Sequence, residues 1–132
     1  MSNQIAIILG SFHKTSVEEM LSEARITAKE CDLKIIAEQW VPGSMEKPLA
    51  LKRFLIRNDV DAAIALGIIE KGETKHGLVM GHAVINAIVQ LQLEFMKPIG
   101  LGILGPDVQP SQIPPRLKPH ARNAVMAVKS ML

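Results

Sequence analysis

Cysteine is nearly absent from this chain. Cys31 is the single thiol among 132 residues. That excludes an internal disulfide framework and a cysteine-based zinc site, and it suits a reducing cytoplasm. Tyrosine is missing, and the aromatics amount to three Phe and one Trp. With 48% of the residues hydrophobic, the core has to be built from Ile, Leu, Val, Met and Ala. No basic–aromatic platform for single-stranded nucleic acid is present. An excess of one charge is lacking too: the formal net charge is +2, and its basic residues are scattered, which argues against nucleic acid and anionic membranes as partners. No apolar run approaches the roughly 20 residues of a membrane span. The N-terminus, MSNQIAIILGSF, has no basic start and only a short apolar run, so it reads as a strand rather than a secretion signal.

What is present is an alternation of short β-type runs with helical patterns. Ile5–Leu9, Leu33–Ala37, Asp61–Ile69 and Ile99–Leu104 read as strands. Between and after them come a helix capped by Thr15 or Ser16, with Glu18 and Glu19 in its first turn, a short helix over Leu49–Ile56, a long one over Leu78–Phe95, and a last one over His120–Leu132. The loop VPGSMEKP, residues 41–48, is rich in Pro and Gly, and the Pro-rich stretch 109–119 reads as irregular or as broken helical turns. Strands joined by helical crossovers give a parallel sheet covered on both faces. The expected fold is a three-layer α/β/α flavodoxin-like domain with a four-stranded parallel sheet, occupying residues 1–132 without division. The ligand site of such a sheet lies beyond the carboxyl ends of its strands. That rule gathers residues 10–13, 41–46, 69–76 and 105–107.

The Leu78–Phe95 helix is apolar around most of its circumference. One side can face the sheet, and the other needs a partner, for which a second copy of the chain is the plain candidate. The stretch GETKHGLVMGH, residues 72–82, opens this helix. His76 and His82 are six residues apart, which is about 240° of helical rotation at about 100° per residue, so they do not share a face and no helical metal pair forms. Gly72, Glu73 and Thr74 follow a strand and precede a helix, where free backbone N–H groups suit a phosphate, although a plain helix cap has the same pattern. No GxxxxGK[ST] or GxGxxG accompanies them, so a nucleotide site is unsupported. His76 is placed to carry protons in both directions, or is a first-turn histidine without a role. His82 reads as a core or interface histidine. Phe12 is a stacking surface for a planar ligand or a core anchor. Glu46 is an acceptor for hydroxyls or a solvated charge, and Arg116 a phosphate ligand or a surface charge.

Three segments together carry a resemblance: VPGSMEKPLALKRF (41–54), ALGIIEKGETKH (65–76) and KPIGLGILGP (97–106). From about Ile5 to Leu132 the chain resembles 6,7-dimethyl-8-ribityllumazine synthase of riboflavin biosynthesis, most closely its short archaeal forms. That family has a VPG-x-x-E/D-x-P-x-A-x-K element and an LG-x-x-I-x-G-x-T-x-H element, and the chain has a counterpart of each. The resemblance implies a transferase that condenses 5-amino-6-(D-ribitylamino)uracil with 3,4-dihydroxy-2-butanone 4-phosphate, releasing phosphate and water. It implies no metal, no organic cofactor, and pentamers with active sites between neighbouring subunits, in some members assembled into an icosahedral capsid. Carried over by position, Phe12 stacks on the pyrimidinedione, and Ser44, Met45, Glu46, Ile68 and Ile69 line the ring and ribityl pocket. Gly72, Glu73 and Thr74 hold the phosphate, Arg116 reaches it from a neighbouring subunit, and His76 is the general acid–base.

The chain departs from the family at several points. His13 stands where the family has Asn, Met45 where it often has Phe, and Gly77-Leu78 follow His76 where an acidic residue is usual. Arg122 is an alternative to Arg116. Two other readings stay open on the residues alone: an archaeal-type riboflavin synthase, and a non-catalytic shell protein that binds lumazine or flavin.

Overall fold

The structure, a computed structural model, describes residues 2–132. Four strands, β1 (Asn3–Gly10), β2 (Leu33–Val41), β3 (Ala62–Glu70) and β4 (Ile99–Val108), form one parallel sheet in the order β2-β1-β3-β4. Helices α1 (Lys14–Glu30) and α4 (Leu117–Met131) cover one face; α2 (Lys47–Leu55) and α3 (His76–Phe95) cover the other. This is the expected three-layer arrangement. Alternation along the strands divides the core in two. Ile5, Ile7, Leu9 and Leu66 pack with Val17, Met20 and Val125 on the α1/α4 side. Ile8, Ala65 and Ile69 pack with Leu51, Val84 and Ile88 on the α2/α3 side. Strand β3 is buried from Ala62 to Ile69, as a central parallel strand apolar on both faces should be.

Local signals placed the elements, and pairing set their ends. β2 runs on to Val41 because Val41 pairs with Gly10, and β4 runs on to Val108, which pairs with Glu70 beyond a register shift. The first helix starts earlier than its sequence suggests. His13, in the left-handed region at φ 58°, is its N-cap; no side chain caps it, and no acidic residue lies in the first turn. Thr15 and Ser16 are therefore inside α1, and Glu18 and Glu19 lie one turn further on. The Pro-rich stretch forms two 3-10 turns, Pro110–Gln112 and Pro114–Arg116, and α4 follows directly.

Helix α3 buries one stripe, Gly81, Val84, Ile88 and Leu91, and leaves Leu78, Val79, Val89 and Leu93 exposed. By length and composition it could cross a membrane, contrary to the reading that no apolar run is long enough. A helix of a soluble protein that packs on two sides passes the same test. Here the buried stripe already lies against the sheet.

Helix α4 rests with its backbone on β4. A Cβ added at Gly100 would stand 2.4 Å from the Ala124 carbonyl oxygen. Gly100→Ala is expected to push α4 outward and cost about 1–3 kcal/mol. Urea unfolding should show a lower midpoint at an unchanged slope; an unchanged midpoint would mean that the layers separate freely at this point.

Candidate active site

The strand order reverses direction between β1 and β3, with β2 reached through α1 on one face and β3 through α2 on the other. Loops leaving the carboxyl ends of these two strands diverge, and the crevice between them is where such sheets bind ligands. A cleft of about 230 Å³ lies there, lined by Phe12, Ile68, Ile69, Glu70, Gly72, Thr74, His76, Gly77 and Met80. Six of the residues selected from sequence, Phe12, Ile68, Ile69, Gly72, Thr74 and His76, therefore share one hollow. Ile68 and Ile69 are buried and form its floor, with side chains on opposite faces of β3. Phe12 is 57% exposed, so it is not a core anchor.

The entry to α3 is built as the sequence suggests, with one refinement. Thr74 Oγ1 accepts from the His76 backbone N–H at 3.3 Å, so the threonine caps the turn through its side chain. His76 is the first residue of the helix and is exposed. Its ring makes no hydrogen bond to the described residues. It is free to meet a ligand in the cleft. Glu73 turns toward an adjoining hollow of about 350 Å³ shared with Lys71, Lys75 and Asp107. Two lysines and two carboxylates balance in that hollow, with Lys71 Nζ 3.9 Å from Asp107, so what favours an anion there is the backbone N–H groups of the helix start.

Other expected residues do not line the cleft in the protomer. Ser44 is buried, while Met45 and Glu46 are exposed on the 3-10 turn between β2 and α2. Arg116 is exposed on the second 3-10 turn, and its Nη1 donates to the Gln112 carbonyl at 3.0 Å. Arg122 is engaged elsewhere. It donates to Glu30 at 3.0 Å and to Thr27 at 3.4 Å on α1, which ties α4 to α1. His82 is exposed, so it is not a core histidine.

Three residues were passed over. Glu70 and Met80 line the cleft. Glu70 stands where the family's second element has isoleucine, so that element matches the chain at Leu66, Gly67, Gly72, Thr74 and His76 and departs from it here. The Glu70 carboxylate accepts from His13 Nε2 at 2.8 Å. Lys47, at the start of α2, is fully buried. Its Nζ lies against β1 and β3, where a Cβ on Gly10 or Gly67 would come within 2.8 or 2.2 Å of it. Among the described residues its one hydrogen-bond partner is Ser44 Oγ, at 3.2 Å, and it forms no ion pair. Burial pulls the ammonium from 10.5 down to about 8, opposed by the nearby Glu46 charge. The signal in the sequence was two glycines at neighbouring strand ends, and it is too faint to call for a lysine.

A parallel α/β sheet with a cleft at its switch point, flanked by a histidine at a helix start, places the chain among the α/β proteins that bind small molecules beyond their strand ends. A family model described as 6,7-dimethyl-8-ribityllumazine synthase matches residues 2–132. Proteins of that name resemble the chain along almost all of its length. The Metallosphaera sedula protein is 36% identical over 130 residues, covering 98% of this chain and 86% of the relative. The Staphylothermus marinus protein is 36% identical over 129 residues, with the same coverage. For Saccharolobus solfataricus the identity is 33% over 126 residues, covering 96% of this chain and 82% of the relative. The chain belongs to the 6,7-dimethyl-8-ribityllumazine synthase family. This favours the synthase over the riboflavin synthase and shell-protein alternatives.

Proposed function

We propose that the chain condenses 5-amino-6-(D-ribitylamino)uracil with 3,4-dihydroxy-2-butanone 4-phosphate to 6,7-dimethyl-8-ribityllumazine, phosphate and water. The observation that carries the reading is the single cleft that unites Phe12, Ile68, Ile69, Gly72, Thr74 and His76 at the strand ends, in a chain of this family. Phe12 stacks on the pyrimidinedione, and the backbone of Gly72, Glu73 and Thr74 takes the phosphate at the start of α3. His76 moves the protons of imine formation and phosphate elimination, a role that needs an imidazole within reach of both. Holding the two substrates side by side supplies much of the remaining acceleration.

Ser44, Met45 and Glu46 fit this scheme from the 3-10 turn after β2, which packs on β3 and α3 of the same chain, and Arg116 fits it from a second protomer. Arg116 does not line the cleft of its own chain, and the exposed stripe of α3 is an apolar surface that a neighbouring copy covers. The proposed unit is a pentamer, alone or in multiples, with sites between subunits.

The test is a condensation assay with both substrates on protein whose mass in solution has been measured. Lumazine absorbance should appear with phosphate released in equal amount, from a species whose mass is a multiple of five protomers. No lumazine from correctly assembled protein would overturn the catalytic reading. Active monomers would overturn the shared site.

A further inference from the structure

Phe12 has a problem of its own. It is 57% exposed and belongs to neither half of the core. A side chain so placed is free to sample its staggered rotamers, yet a ring that stacks on a ligand works best when its direction is held beforehand. Among the described residues its aromatic neighbour is His13, at 4.5 Å between ring centroids and 71° between planes, an edge-to-face contact. His13 is itself held. Its backbone is left-handed at the start of α1, and its Nε2 lies 2.8 Å from Glu70 Oε2. An ionised carboxylate only accepts, so the imidazole donates. Glu70, in turn, is the last residue of β3 and pairs with Val108 of β4. A rigid sheet, a carboxylate, an imidazole and a phenyl ring thus form one continuous line of contacts that ends in the cleft.

We propose that Glu70 and His13 are positioning residues that fix the Phe12 ring for stacking on the planar heterocycle of the substrate. The proposal rests on the functional reading above for the identity of that heterocycle, and on geometry alone for the ordering of the ring. His13 acts through Phe12 and does not touch the substrate. Its backbone conformation is one that asparagine also adopts readily, so His13→Asn removes the ring while keeping the start of α1.

Two measurements test it. In ligand-free crystals, Phe12 should occupy one rotamer in the unaltered protein and in Glu70→Gln, which retains an acceptor for His13. It should spread over several in Glu70→Ala and His13→Asn. In steady-state kinetics, His13→Asn should raise KM for the pyrimidinedione about 3- to 10-fold, the size of an aromatic contact, with KM for the butanone phosphate and kcat unchanged, and Glu70→Ala, whose side chain lines the cleft, should raise the same KM. The double variant His13→Asn with Glu70→Ala should be no worse than either single one, because each breaks the same line of contacts. Phe12 remaining in one rotamer in both single variants would overturn the proposal. So would additive effects, which would mean that Glu70 meets the substrate directly. Protein that makes no lumazine defeats the functional reading but leaves the crystallographic comparison decisive for the positioning role.

Discussion

Replacing His76 with alanine is expected to slow lumazine formation on the order of 10²–10⁴-fold, the usual contribution of a placed acid–base group. Stability and assembly should change little, for three structural reasons. His76 is exposed, it occupies the first position of α3, and its ring bonds to none of the described residues. Its backbone N–H contact with Thr74 survives truncation. The loss should fall mainly on kcat, because the proposed phosphate cradle is made of backbone that the substitution leaves in place. Single-turnover kinetics with saturating substrates, alongside solution mass, would check it. A rate within a few-fold of the unaltered protein would remove His76 from the chemistry and pass the proton transfers to substrate or solvent. No carboxylate of the described residues is bonded to this imidazole, so its orientation depends on the substrate and on the surrounding cleft.

Lys47→Met is expected to act in the opposite direction on a different property: it should make the protein more stable. The lysine amine is fully buried with one hydroxyl for company, and burial lowers its pKa from 10.5 to about 8. At about 1.4 kcal/mol per pH unit, that lowering costs roughly 3 kcal/mol of folding free energy. Below pH 8 the amine is charged in both the folded and the unfolded chain, so the cost is present in full. Between about pH 8 and 10.5 the unfolded chain binds more protons than the folded one, and stability should rise with pH. Above that range both forms are neutral and the cost is gone. Methionine has a similar length without the charge. The variant should therefore gain roughly 3 kcal/mol at pH 7, lack the rise between pH 8 and 10.5, and converge on the unaltered protein in stronger alkali. Denaturant unfolding at pH 7, 9 and 10.5, at one fixed protomer concentration, measures all three. A variant less stable than the parent at pH 7 would show that the Ser44 bond and the fit between Gly10 and Gly67 outweigh the buried charge.

The sequence carried most of the fold because its signals are local. The alternation of β-type runs with amphipathic stretches placed all four strands and all four helices. Ends were less legible. The reach of β4 to Val108 depends on Glu70 pairing across the sheet, and nothing within residues 99–108 announces it. The start of α1 at Lys14 depends on His13 adopting a left-handed conformation, which no cap-forming side chain marks. In the site, the place of the GETKH stretch was legible because a loop between a strand and a helix is marked by its own turn residues. The VPG loop was legible by family pattern, but its position relative to the cleft was not. Ser44–Glu46 belong to a different strand end and do not line the cleft of their own protomer.

By itself the sequence determined the layer order, the apolar girdle of α3, and the placing of a histidine and a Gly-Glu-Thr loop after the third strand. Each follows from periodicity and from turn chemistry, which act over a few residues. Only the tertiary structure decided that Glu70 would reach His13, 57 positions earlier in the chain, and that Lys47 would lie buried against Gly10 and Gly67. Those contacts arise because parallel pairing sets β1 beside β3 and brings their carboxyl ends together. Side-chain partners at that edge are chosen by the register of the sheet, and register is a property of paired strands that no single segment contains.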